Sequence, residues 1–115
     1  MRDKLLNSVK QVVEEELQRT YTEYGFGDFN SNHEAYAVIK EEIEEARIEL
    51  DRAEQRLRWA WEIIKKNENP KESIEKIRLY GIYLACEAIQ IAAVAEKYIT
   101  SLKKQREDEN HGNKI

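Results

Sequence analysis

The chain has 115 residues, enough for one domain with one modest core. Its 19 basic and 23 acidic residues leave a net charge of −4, and no basic block stands clear of acidic neighbours, which argues against a nucleic-acid backbone as partner. Four Gly and one Pro are too few for a loop-rich or all-β protein; Ala, Leu, Ile, Glu, Lys and Arg dominate, and all but Ile are strong helix formers.

Three helices are expected in chain order. The first spans residues 3–24, with Leu6, Val9, Val13 and Leu17 on one face. Residues 25–30, Gly-Phe-Gly-Asp-Phe-Asn, form a loop by composition. There Phe26 and Phe29 either close over a groove or staple the loop to the core. Ser31 followed by Glu34 is a capping box, so a second helix starts there and runs to about Lys66. Asn69-Pro70 marks the next start, with Asn as N-cap and Pro at the first helical position. The third helix runs to about Lys104. A single all-α domain over 1–104 with a polar, frayed tail over 105–115 follows.

The second and third helices carry heptad stripes. Tyr36, Ile39, Ile43, Ala46, Leu50, Ala53, Leu57, Ala60 and Ile64 alternate steps of three and four. So do Ile77, Gly81, Leu84, Ala88, Ile91, Ala95, Tyr98 and Leu102. A short connection between two such stripes predicts an antiparallel pair of helices. A second apolar face on the third helix (Ile82, Ala85, Ile89 and Ala93) exceeds what one neighbour covers, so a homodimer or dimer of dimers is expected. Trp59 and Trp61 cannot both face one seam, and one of them is assigned to a subunit contact. Residues 81–95 are apolar but shorter than the ~20 residues a bilayer requires, and Glu87 interrupts them, so they read as core rather than as a membrane span. Lone Cys86 reads as a small buried hydrophobe. Residues 1–10 lack the apolar run of a secretory leader, and a cytoplasmic location fits.

Acidic residues interrupt this pattern where chemistry can use them. Glu41, Glu42 and Glu45 form E-E-x-x-E on the second helix; Glu87 and Gln90 form E-x-x-Q on the third. With Ile43 and Ala88 at heptad position a, Glu42 and Glu87 fall at g, and Glu45 and Gln90 at c, beside g on the same flank. A carboxylate in apolar surroundings costs several kcal/mol unless compensated. Oxygen donors around one groove suit Mg²⁺ or Mn²⁺, which can bind a polyphosphate and activate water. One difficulty is axial. Counted from the Asn69-Pro70 turn, Glu42 and Glu87 miss alignment by about eight residues, roughly 12 Å. That implies a short or bent second helix, or a partner from another subunit. The same charges also admit the plainer reading of a solvated face, with Lys40, Arg47, Arg52 and Arg56 pairing Glu44, Glu49 and Asp51.

Two segments, 26–46 and 87–95, together about a quarter of the chain, resemble the MazG-like all-α nucleotide pyrophosphohydrolase superfamily, and above all its small phage and prophage members. The resemblance implies an antiparallel helical bundle assembled as a dimer or tetramer. It implies Mg²⁺ held by Glu41, Glu42, Glu45 and Glu87, and cleavage of nucleoside triphosphates between the α and β phosphates. Glu41 would be a ligand or the base for the attacking water. Gln90 stands where catalytic members carry Asp; Gln offers a carbonyl oxygen without charge and holds a metal more weakly. His33, Lys40, Tyr83 and Lys97 are candidate contacts to a nucleotide. Two other functions are weighed beside hydrolysis. One is a phage protein that sequesters a nucleotide-derived defence signal; the other is a helical module that inhibits or scaffolds another protein.

Overall fold

The computed structural model describes residues 2–24 and 29–112, with Tyr24 and residues 107–112 described by backbone alone. The described chain is all-helical: α1 spans Arg2–Tyr24, α2 Asn32–Lys65 and α3 Lys71–Gly112. Phe26 lies outside the described residues. α3 therefore continues well past Lys104, into residues expected to fray. Their composition explains the difference, since 103–109 consist of Lys, Gln, Arg, Glu and Asp, mostly good helix formers.

The helix ends are set locally. Ser31 Oγ accepts the Glu34 backbone N–H at 3.1 Å, and Ser31 O accepts from Ala35 at 3.2 Å. The return half of the capping box is not made. Instead, the Glu34 carboxylate accepts from the Asn30 side-chain amide at 2.9 Å. At its C-terminus α2 closes with Glu68 N–H on Ile63 O at 3.1 Å and Asn67 N–H on Ile64 O at 2.9 Å. This Schellman pattern requires a left-handed residue, and Asn67 supplies it with φ 61°. Asn69 Oδ1 then accepts the Lys71 N–H at 3.0 Å and starts α3. A connection of only five residues, 66–70, therefore carries both a stop and a start signal.

The chain groups into two compact units, residues 1–40 with 89–115, and residues 41–88. In the first, Leu17, Ala35 and Ala93 are buried; in the second, Ala46 and Ala60. Among the described residues the buried apolar side chains are thus few, and all but Leu17 are alanines. Of the α1 face, Leu17 is buried, but Leu6 and Val9 are exposed. Residues 81–95 are not core within the chain. Ala93 alone among them is fully buried, whereas Ile82 and Tyr83 are exposed. Cys86 is exposed as well, contrary to its reading as a buried hydrophobe. The reason is common to all: a long helix covers its neighbour along one stripe and leaves the remaining apolar positions bare. Residues 71–106 form a helix long and apolar enough, by length and composition, to cross a membrane.

Candidate functional site

The second unit brings acidic residues from α2 and α3 together. Glu42, Glu45 and Glu87 each present a carboxylate oxygen, and the three atoms lie within 4.8 Å of one another in a single chain. The helix ends leave Glu42 and Glu87 seven residues, about 10 Å, out of axial register, close to the expected eight, and Glu45 is the residue that bridges the gap. Glu45 lies twenty residues before the end of α2 and Glu87 sixteen after the start of α3. That leaves an offset of four residues, about 6 Å, which two glutamate side chains span. Neither an early end to α2 nor a second subunit is required.

Electrostatics at this point is one-sided. Glu42 is half-buried, and its carboxyl titrates above the usual glutamate range; partial burial is the main cause, and the charges of Glu45, Glu87 and Glu41 add to it. Glu87 is raised too, again first by burial, then by a hydrogen bond with the Glu45 carboxyl and by the charges of Glu45 and Glu49. A hydrogen bond between two carboxyl groups requires a proton in it. That contact favours the protonated form of Glu87. Glu49 lies one turn beyond Glu45. It gives one oxygen to Arg52 Nη1 at 2.8 Å, while its Oε2 is buried without a hydrogen-bond partner. The sequence reading paired Glu49 with an arginine and missed its influence on Glu87. Its position at g, seven residues after Glu42, carried the signal.

The remaining candidates fall in different places. Glu41 is exposed and acts on Glu42 through its charge; at heptad position f its side chain leaves the helix away from the g flank. Tyr83 is exposed one turn before Glu87, in the same unit. His33, Lys40, Gln90 and Lys97 belong to the first unit. His33 is exposed near the start of α2, and Lys40 is exposed further along it. Lys97 places Nζ 5.1 Å from the Phe29 ring centre, and Phe29 meets Tyr98 edge-on at 5.8 Å. Tyr98 in turn donates its hydroxyl to Asn32 Oδ1 at 2.7 Å. Phe29 thus staples the start of α2 to α3. Gln90 donates Nε2 to Glu16 Oε1 at 2.6 Å. Because a carboxylate only accepts, this contact fixes which way the amide points. Glu16, bonded also by Arg19, titrates below the usual range, with Arg19 the larger cause and Gln90 the next. No sequence pattern singled out Glu16, whose 74-residue separation from Gln90 has no local signal.

Chemically, three carboxylates within reach of one point, with no nitrogen or sulfur donor in the set, suit a hard divalent cation. No protein-family model, curated protein or solved structure matches the chain.

Proposed function

We propose that the protein is a MazG-like antiparallel helical bundle that binds a nucleotide or nucleotide-derived phosphate through a divalent cation, Mg²⁺ or Mn²⁺, held by Glu42, Glu45 and Glu87. The observation that carries this reading is the convergence of the three carboxylates within 4.8 Å. Clustering acids raises their pKa values and costs stability unless a proton or a cation is supplied. Bound there, the cation would supply charge neutralisation for a polyphosphate. The residues themselves have separable roles. Glu45 and Glu87 bring their carboxylates close enough to share one cation, which would offset the crowding that raises Glu87. Glu41, outside the group of three, would contribute as a base for a water only by turning its side chain toward Glu42. Tyr83 stands one turn from Glu87 where a base or ribose would lie.

Hydrolysis is tested directly. Protein incubated with nucleoside triphosphates and Mg²⁺ yields monophosphate and pyrophosphate if it is a pyrophosphohydrolase, and Glu45→Gln abolishes the reaction. The enzyme reading ends if no product forms and the variant behaves as wild type.

One observation favours binding without turnover. Where resembling catalytic members carry Asp, Gln90 is neutral and its amide is held by Glu16. A protein that sequesters a nucleotide-derived signal needs the pocket but not the reaction. On this reading a nucleotide raises the melting temperature and is recovered intact; a ligand recovered as monophosphate rules it out.

A further inference from the structure

The end of the second unit, where α2 turns into α3, differs in charge from the rest of the chain. Residues 56–78 hold seven Lys and Arg against four Glu, a net +3 in a chain of net −4. Lys65 pairs with Glu62 at 2.8 Å and Lys71 with Glu75 at 3.8 Å. Arg58, Lys66 and Arg78 are exposed and have no ion pair among the described residues. Both tryptophans of the chain lie on this same end, Trp59 46% and Trp61 56% exposed, and Ile64 and Ile74 are exposed as well. All four stand within about 10 Å of the turn, counted along the helix axes. Trp59 and Trp61, two residues apart, leave α2 on nearly opposite sides. Each lies beneath a cation, Arg56 and Lys65 respectively. A shallow depression lined by Asn69, Pro70, Lys71, Ile74, Glu75 and Arg78 sets two more cations at an apolar patch.

We infer that this end docks on an anionic lipid bilayer, with Trp59, Trp61, Ile64 and Ile74 at the headgroup level and Arg58, Lys66 and Arg78 against lipid phosphates. Three physical points select that occupant. The sign is complementary, since a local basic excess is drawn to an anionic surface even in an acidic protein. Tryptophan together with Lys and Arg is the composition of the bilayer interface, where an amphipathic ring and a long basic side chain each keep a polar end in water. The placement is that of an end-on approach: rings on opposite sides of α2 at nearly one level meet a plane together, whereas a helix laid alongside reaches one flank only. The charged side chains of the same end hold it at the headgroups and out of the hydrocarbon. The cation site is separate. Glu45 lies twenty residues before the end of α2, about 30 Å from the turn, several Debye lengths at physiological salt. Repulsion of the acidic cluster by the same lipid is therefore screened.

Co-sedimentation of the full chain with vesicles of phosphatidylcholine, alone or with phosphatidylserine, tests it. Because Trp59 and Trp61 are the only tryptophans, their fluorescence reports on this end directly. The expected result is binding to the phosphatidylserine vesicles only, with a blue shift of the emission and release in high salt. Arg58→Gln with Lys66→Gln weakens binding about 25-fold, at roughly fivefold for each basic residue removed, with helical circular dichroism retained because both side chains are exposed. Lys4→Gln with Lys10→Gln, exposed on α1, changes the net charge equally and leaves binding intact. The inference is overturned by a chain that stays in solution with both vesicles, by equal binding to both, by binding without a change in emission, or by equal losses from the two double variants. Capture by polyglutamate in place of vesicles would assign the end to an acidic protein partner and overturn it too.

Discussion

Glu87 carries the clearest single-residue consequence. Its carboxyl and that of Glu42 hold protons more tightly in the folded chain than in the unfolded one. Where the native state binds more protons, stability falls as pH rises. The contribution is thus fully present below the unfolded glutamate value and is lost as pH climbs through the raised folded values. Glu16 runs the other way: its lowered pKa gives stability that is present above the unfolded value and lost on acidification. Glu87→Gln should stabilise the protein at neutral pH by roughly 0.5 kcal/mol, the scale of a relieved like-charge pair on a helix, and flatten the pH profile from the glutamate range upward. Urea melts at pH 5 and 7.5 check it; a variant destabilised equally at both values contradicts the account. Gln90 gives a second test. Gln90→Asp, which restores the residue of the resembling catalytic members, removes the donor to Glu16 and sets two carboxylates against each other. It should cost about 0.5–1.5 kcal/mol, the range for one lost hydrogen bond, since Arg19 still holds Glu16, and Glu16→Gln in the same chain should recover part of that loss.

At the scale of elements, the sequence was most legible where a local signal has a local cause. Ser31, Asn69 and Pro70 marked helix starts that the structure places within a residue or two, because caps act on the nearest turn. The end of α2 was read less fully: Asn67 was not recognised as its left-handed terminator, although Asn is the common substitute for Gly there. Asn67→Gly should therefore be neutral or slightly stabilising. Asn67→Val should lose about 1–2 kcal/mol, the cost of a branched residue in the left-handed region; equal melting temperatures for the two variants would contradict the assignment. Burial was the poorest reading. Cys86, Ile82 and Tyr83 sit in an apolar run that suggests core, yet periodicity tells which residues share a face and not whether a face is covered. Coverage depends on neighbours distant in sequence, or on another chain.

For the whole molecule, the few buried apolar side chains among the described residues stand against an exposed array of Ile, Leu and Trp. Trp59 and Trp61 are both exposed, each beneath a cation, Arg56 at 4.5 Å and Lys65 at 5.9 Å from the ring centre. The cluster of Glu42, Glu45 and Glu87 was legible from g and c positions on two heptad stripes. Its assembly within one chain was not, because the axial count compared Glu42 with Glu87, whereas Glu45, three residues nearer the turn, is the closer match to Glu87. The central claim is that these carboxylates take up a divalent cation, and calorimetric titration of Mn²⁺ into the protein at neutral pH tests it most directly. One ion per chain is predicted, with affinity at least tenfold weaker in Glu45→Gln and with protons released on binding when the titration is repeated near pH 5. No heat and no proton release at millimolar Mn²⁺, or binding untouched by Glu45→Gln and Glu87→Gln alike, would contradict it.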